Sequence, residues 1–169
     1  ASNRLFQTAI YTGHRVRTDT NIAKGAVSYS QVTVDAICHE IPKLSDCVVS
    51  IIGVNEMTES ILNFLSARGA TNIILANRSI DKAKTLAPRY DAKAVPLEEK
   101  RHLLHVSDVV VSATSAPHTI IHSSDLTTKA SKGNRKLFFD LAIPPDIDEG
   151  IAAKPHVKLF RIADIEQRD

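Results

Sequence analysis

The feature that most constrains the fold is a short apolar run that ends at a glycine. Residues 48–52 read VVSII, and Gly53 follows directly. A β-branched apolar run of this length is typical of a parallel strand that is covered on both faces. Apolar residues then recur at helical spacing up to Gly69, a residue that commonly ends helices. The sequence therefore predicts a strand, a tight glycine turn and a helix.

The alternation of strands and helices continues along the chain. Further strands are predicted at residues 72–77, 92–95, 108–114, 136–143 and 157–162. Helical patterns occupy residues 79–87 and 97–106, and a helix over residues 28–41 leads into the first strand. Strands that alternate with helices predict an α/β fold, namely a doubly wound, mostly parallel Rossmann-type sheet with helices on both faces.

Composition excludes several classes of protein. The chain has 169 residues, of which 43% are hydrophobic, so it can bury the core of one ordinary domain. Its formal net charge of +2 does not argue for nucleic-acid binding by electrostatics. Two cysteines without CxxC spacing, and histidines without a nearby carboxylate at zinc-protease spacing, predict neither a disulfide framework nor a metal site. No apolar run approaches the roughly 18 residues that span a bilayer, so we expect a cytoplasmic protein without a membrane partner.

The turn after the first strand resembles a dinucleotide-binding turn that keeps only its first glycine. The three glycine positions of that fingerprint are occupied by Gly53, Asn55 and Thr58. Asparagine tolerates a left-handed backbone, but its side chain would stand where phosphate oxygens approach. We therefore expect Asn55→Gly to tighten nucleotide binding. The helix that starts near Glu56 still offers free N–H groups to an anion, although the turn could also be a mere connection.

The end of the second strand discriminates between two nucleotides. NAD-binding domains place an acidic residue there, about 20 residues after the glycines, to hold the ribose 2′-hydroxyl. This chain has Asn77, Arg78 and Ser79 instead. A guanidinium pairs with a 2′-phosphate, so a bound dinucleotide is predicted to be NADP. The alternative is a solvated loop arginine followed by a helix-capping serine.

A third polar segment, SATSAPHTII, follows the fourth strand. Ligands of open α/β sheets bind at the carboxyl ends of the strands. Thr114 and Ser115 are small enough to line a nicotinamide ribose, and His118 could donate a hydrogen bond or move a proton. The alternative for His118 is a purely structural histidine.

Four segments in this order resemble glutamyl-tRNA reductase. They are RVRTDTNIAKGAVSYS, IIGVNEMTESILNFLSARGATNIILANRS, SATSAPHTII and FFDLAIPPDID, and together they cover nearly the whole chain. The resemblance implies an NADPH-dependent homodimer that reduces glutamyl-tRNA to glutamate-1-semialdehyde, for tetrapyrrole biosynthesis. Such enzymes form a thioester on a cysteine of a separate catalytic domain. Neither Cys38 nor Cys47 matches that cysteine, so no catalytic residue is expected here and the chain alone is expected to be inactive.

The resemblance also divides the chain and assigns its cofactor site. Residues 1–27 would be the tail of a catalytic domain, residues 28–162 the NADP-binding domain, and residues 163–169 the start of a helix towards a dimerisation domain. The cofactor-binding residues it implies are Gly53, Val54, Asn55, Glu56, Met57, Thr58, Asn77, Arg78, Ser79, Thr114, Ser115 and His118.

Two alternatives remain open from the sequence. The chain could be a Rossmann-like module that has lost its cofactor and serves regulation or assembly. It could also belong to a different small NADP oxidoreductase of shikimate-dehydrogenase-like type, which would need a Lys and Asp catalytic pair in a substrate domain that this sequence does not contain.

Overall fold

The structure is a computed structural model that describes residues 19–127 and 135–162, with side chains from Gly25 onward. The expected tail at residues 1–18 and the expected helix start at residues 163–169 lie outside the described residues. The helices are α1 (Asp19–Glu40), α2 (Glu56–Ala67), α3 (Ile80–Leu86) and α4 (Lys100–Val106). The strands are β1 (Val48–Ile52), β2 (Asn72–Asn77), β3 (Lys93–Pro96), β4 (Val109–Ser112), β5 (Lys136–Asp140) and β6 (Val157–Arg161).

All six strands form one parallel sheet in the order β3-β2-β1-β4-β5-β6. This is the strand order of doubly wound dinucleotide-binding folds, and it confirms the predicted fold class. The chain runs outward from β1 to β3 and then returns to place β4 on the other side of β1. The order therefore reverses between β1 and β4, where such sheets open a crevice at the carboxyl ends of the strands.

The sheet separates two apolar layers because side chains alternate along each strand. Ile51 packs into the layer that contains α1 and α2, whereas its neighbour Ile52 packs into the layer on the opposite face. Both side chains are 0% exposed. Burying an isoleucine fully contributes about 2 kcal/mol, and this double coverage explains why β1 reads as a continuous apolar run.

Helix α1 begins at Asp19, so the predicted start at residue 28 is wrong. The apolar stripe that indicated a helix is clear only after Gly25, and a glycine inside a helix costs about 1 kcal/mol. Packing of α1 on α2 outweighs that cost. The buried Ser30 hydroxyl donates to the carbonyl of Ala26 at 2.6 Å and lies 3.1 Å from that of Met57, within hydrogen-bonding distance.

Among the described residues, no helix combines the length and the apolar character that crossing a bilayer requires.

Candidate functional site

A cleft of about 390 Å³ opens where the strand order reverses, at the carboxyl ends of the strands. Eight of the residues predicted for the cofactor site line it: Gly53, Val54, Asn55, Asn77, Arg78, Ser79, Thr114 and Ser115. The sheet brings together three segments that are 20 to 40 residues apart in sequence. The volume of the cleft lies within the range of natural small-molecule sites, about 300–1,000 Å³.

Gly53 allows the turn to approach the end of β4 closely. Its φ of +106° lies in the region that favours glycine. A Cβ at this position would stand 2.5 Å from the carbonyl oxygen of Ala113. No other residue fits there without moving the backbone of β4, so the one remaining glycine of the fingerprint is the sterically required one.

Asn55 occupies the second glycine position with an extended backbone, φ −162° and ψ −177°. The expectation that a left-handed backbone explains its tolerance is wrong, because any residue adopts this conformation. Its amide is held at both ends by the protein: Oδ1 accepts from the N–H of Thr58 at 3.0 Å, and Nδ2 donates to the Ala113 carbonyl at 2.7 Å. Asn55 is thus the N-cap of α2 and a link to β4.

Thr58 completes a reciprocal capping box. Its hydroxyl oxygen lies 2.9 Å from the backbone nitrogen of Asn55, and its side chain is 0% exposed. The predicted contact of Thr58 with the cofactor is therefore not one its side chain can make. Glu56 and Met57 also lie outside the lining of the cleft: Glu56 is exposed, and Met57 packs partly against the core.

Three backbone donors at this turn remain available. Within residues 19–127 and 135–162, the N–H groups of Val54, Glu56 and Met57 have no intramolecular acceptor. Free N–H groups at the start of a helix attract anions, and the helix dipole adds to that attraction. Glu56 and Met57 can therefore donate hydrogen bonds to an anion through their backbone N–H groups. The carboxylate of Glu56 would repel the same anion.

Cationic side chains flank the cleft at the end of β2. Arg78, Ser79 and Lys82 line it, and the Asn77 amide donates to the carbonyl of Ser79 at 3.0 Å, which fixes the bend before α3. Arg78 and Lys82 have no ion-pair partner among the described residues. Moreover, no Asp or Glu lies among the described residues that line the cleft.

The segment after β4 divides between the cleft and a buried network. Thr114 and Ser115 line the cleft, but the Thr114 hydroxyl donates to Asp146 at 2.6 Å, and so does its N–H at 2.9 Å. His118 is not a lining residue. It is exposed, and its Nδ1 lies 3.1 Å from the carbonyl oxygen of Thr119. The Thr114 side chain thus bonds to Asp146 at the edge of the cleft, and His118 lies outside the cleft lining; their contacts with a cofactor stay predictions.

Asp146 and Asp140 anchor the turn that follows β5. Asp146 is 0% exposed and also accepts from the Ser112 hydroxyl at 2.7 Å. Asp140 accepts from the N–H groups of Ala142, Asp146 and Ile147 and lies 3.4 Å from the Arg161 guanidinium. Burial raises the pKa of Asp140 above its usual range, against the effect of those N–H donors. These carboxylates hold the carboxyl ends of β4, β5 and β6 together.

Six lining residues were not predicted: Ile52, Lys82, Leu97, Ala116, Pro117 and Ile120. Of these six residues, only Lys82 has a signal in the sequence, namely a positive charge four residues after Arg78. The apolar residues are indistinguishable from core residues in sequence.

Neither cysteine is placed as a nucleophile. Burial raises the pKa of the Cys47 thiol to about 11, so it stays protonated at neutral pH. Cys38 is partly buried and packs against the apolar layer beneath α1.

The sequence profile of the Shikimate / quinate 5-dehydrogenase family matches residues 36–168, nearly four fifths of the chain. The chain belongs to this family. Among curated relatives, glutamyl-tRNA reductase of Carboxydothermus hydrogenoformans is 39% identical over 161 residues, which are 95% of this chain and 36% of that protein. The predicted resemblance to glutamyl-tRNA reductase is thereby confirmed. The chain spans less than half the length of the curated relatives it matches.

Solved structures agree with these relatives. Glutamyl-tRNA reductase from Methanopyrus kandleri superposes with a TM-score of 0.76 at 33% identity, over 83% of this chain and 36% of that chain. The nucleotide binding domain of glutamyl-tRNA reductase from Thermoplasma volcanium has a TM-score of 0.63 at 20% identity, over 83% of this chain and 89% of that one. At that identity, the second match shows a shared fold.

Proposed function

We propose that this chain is the NADPH-binding part of a glutamyl-tRNA reductase. The observation that carries the proposal is the cleft itself, which is lined by Val54, with its free N–H group, and by the unpaired cations of Arg78 and Lys82. The Thermoplasma volcanium domain that shares this fold is the nucleotide binding domain of a glutamyl-tRNA reductase.

The turn after β1 fits a diphosphate. Val54, Glu56 and Met57 offer N–H donors, and Gly53 lets the backbone lie against β4 without a side chain in between. The donors are part of the fold, so they need little reorganisation when an anion arrives. In this arrangement the diphosphate would be bound by backbone groups rather than by the side chains of residues 55–58.

The end of β2 fits a 2′-phosphate. Arg78 and Lys82 supply two positive charges, and Ser79 supplies a hydroxyl. A carboxylate in this place would repel a phosphate, and none lines the described part of the cleft. The same residues would contribute little to a ribose that carries only hydroxyls. NADPH is therefore the nucleotide that the cleft fits better than NADH.

The Thr114–Pro117 side of the cleft lies across the strand reversal from Arg78 and would take the nicotinamide end. When bound, NADPH would supply the hydride, and the residues on this side of the cleft would position it. Thr114 would hold this side of the cleft in place, because its N–H and its hydroxyl both donate to Asp146.

For the whole protein we propose reduction of glutamyl-tRNA to glutamate-1-semialdehyde in tetrapyrrole biosynthesis, by a cytoplasmic homodimer. The similarity to glutamyl-tRNA reductases over 95% of the chain supports this proposal. We propose that the catalytic cysteine lies outside residues 28–162, and this chain alone is then expected to bind NADPH without turnover. Residues 1–27 and 163–169 are proposed as its connections to a catalytic and a dimerisation domain.

Calorimetric titration of the 169-residue chain with NADPH and with NADH tests the cofactor. We expect NADPH to bind at least about tenfold more tightly, because a charge-assisted pair contributes roughly 1.5–3 kcal/mol. Arg78→Ala should remove most of that preference and leave NADH affinity unchanged. Binding of neither nucleotide would favour a module that has lost its cofactor. Equal affinities would refute the assignment of Arg78.

A further inference from the structure

Asn55 lines the cleft, and its side-chain amide connects the β1–α2 turn to the segment that follows β4. Glycine at this position, as in the full fingerprint, has no side chain. Here Asn55 Nδ2 donates to the Ala113 carbonyl at 2.7 Å, and Oδ1 accepts from Thr58 N–H at 3.0 Å. The Asn55 side chain thus connects the start of α2 with the segment that follows β4.

The acceptor of this bond is a constrained atom. The Ala113 oxygen is the same atom that a Cβ on Gly53 would meet at 2.5 Å, and the Ala113 N–H already donates to Ile52 at 3.0 Å. The next residue, Thr114, is fixed by Asp146. Asn55 therefore ties the turn to a point that is itself held by hydrogen bonds of the neighbouring backbone and of Thr114.

The orientation of the free N–H groups at the start of α2 depends on this hydrogen bond between Asn55 and Ala113. Glu56 and Met57 are the first two residues after the N-cap, so the direction of their N–H groups follows the cap geometry. Without the bond to Ala113, the turn could move relative to β4. An anion would then have to order the turn as it binds, which lowers affinity.

We infer that Asn55 is a positioning residue for the diphosphate: by bridging Ala113 and capping α2, it holds the free N–H groups of the turn in their binding orientation. The inference rests on the proposed NADPH function. It reverses the expectation from sequence, because a residue that merely stood in the way of the phosphates would improve binding when replaced by glycine.

Two substitutions separate the two bonds. Asn55→Ser keeps a good N-cap but is too short to reach Ala113, whereas Asn55→Gly removes both the cap oxygen and the bridge. Asn72→Ser is the matched control, since Asn72 is exposed at the amino end of β2, on the opposite edge of the sheet. We expect NADPH affinity to fall about fivefold in Asn55→Ser and about tenfold in Asn55→Gly, and to stay unchanged in the control.

A second ligand distinguishes positioning from general loss of structure. Adenosine 2′-monophosphate carries the 2′-phosphate without the diphosphate, so it tests the Arg78 end of the cleft alone. Its affinity should be equal in wild type and both Asn55 variants, measured by NMR titration of each folded chain. Parallel losses for both ligands would make Asn55 a structural residue only and would overturn the inference.

The remaining outcomes separate this inference from the proposed function. If the wild-type chain binds NADPH and either Asn55 variant binds it equally well or more tightly, the inference is wrong and the proposed function stands. If the wild-type chain binds no NADPH, the proposed function fails and the inference fails with it.

Discussion

The two sides of the cleft differ in how their polar groups are used. On the β1–β2 side, polar groups of the described chain lack intramolecular partners: the N–H groups of Val54, Glu56 and Met57 and the cations of Arg78 and Lys82. On the β4–β6 side, buried Ser112, Asp140 and Asp146 and half-buried Thr114 and Arg161 are paired with other groups of the protein.

We infer from this difference that the β1–β2 side binds the phosphates of a ligand, whereas the β4–β6 side is mainly a frame that stabilises the fold. A buried polar group must be hydrogen-bonded to be tolerated, so the β4–β6 network stabilises the fold and has little capacity for a ligand. Unpaired donors at the rim of a cleft lose nothing when they bind an anion in place of water. We therefore expect substitutions on the first side to change binding and substitutions on the second side to change stability.

The largest effect is expected on the frame side, at Asp146. Asp146→Ala leaves the N–H of Thr114 and the hydroxyls of Thr114 and Ser112 without their acceptor inside the protein. The free energy of unfolding should fall by about 3 kcal/mol, because each unsatisfied buried group carries a penalty of roughly 1–3 kcal/mol. Urea denaturation measures the change.

Glu98→Ala is the control for Asp146, since Glu98 is an exposed carboxylate that should change stability by less than about 0.5 kcal/mol. A loss below 1 kcal/mol in Asp146→Ala would show that the network does not stabilise the frame. The proposed contrast between the two sides would then fail.

Gly53 lies where the β1–β2 side of the cleft contacts the β4–β6 side. Gly53→Ala should cost about 2 kcal/mol more than Gly69→Ala. Both glycines have positive φ, but a Cβ on Gly69 meets nothing within 4 Å, whereas one on Gly53 meets the Ala113 oxygen at 2.5 Å. Gly53→Ala should also abolish NADPH binding. Equal unfolding free energies for the two variants would show that close approach at Gly53 is unimportant.

The smallest effect is expected at Lys82. Lys82→Ala should weaken NADPH binding about threefold without changing the unfolding midpoint, because an exposed cation contributes under 1 kcal/mol to an ion pair. Lys84→Ala on the same helix is the matched control, since Lys84 is equally exposed but does not line the cleft. If both variants weaken binding equally, Lys82 contributes only to the general positive charge.

Sequence predicts the framework of this molecule well because its signals are local. Periodicity and glycine placement predict strand β1, the turn after it and the alternation of later strands with helices along the chain. Strands β1 and β2 have the predicted bounds. Strand ends near polar segments are less well predicted: β4 stops at Ser112 and β5 at Asp140, where each residue bonds to the carboxylate network.

The sequence predicts part of the site, because it indicates which residues line the cleft but not where their side chains point. Gly53, Asn77 and Arg78 follow from a known spacing and do line the cleft. The role of Thr58 follows from a capping box, whose spacing of three residues is a sequence signal that the dinucleotide fingerprint does not contain. The role of Thr114 depends on a hydrogen bond to a residue 32 positions away, which no spacing rule reveals. The bond between Asn55 and Ala113 spans 58 positions and is equally invisible in sequence.

The most direct test of the central claim is an NMR titration that follows the backbone amide signals of the turn as NADPH is added. We expect the largest chemical-shift changes at Val54, Glu56 and Met57, and smaller changes of the same three signals with inorganic pyrophosphate. NADPH binding that leaves these three amides unmoved, or no binding at all, would contradict it.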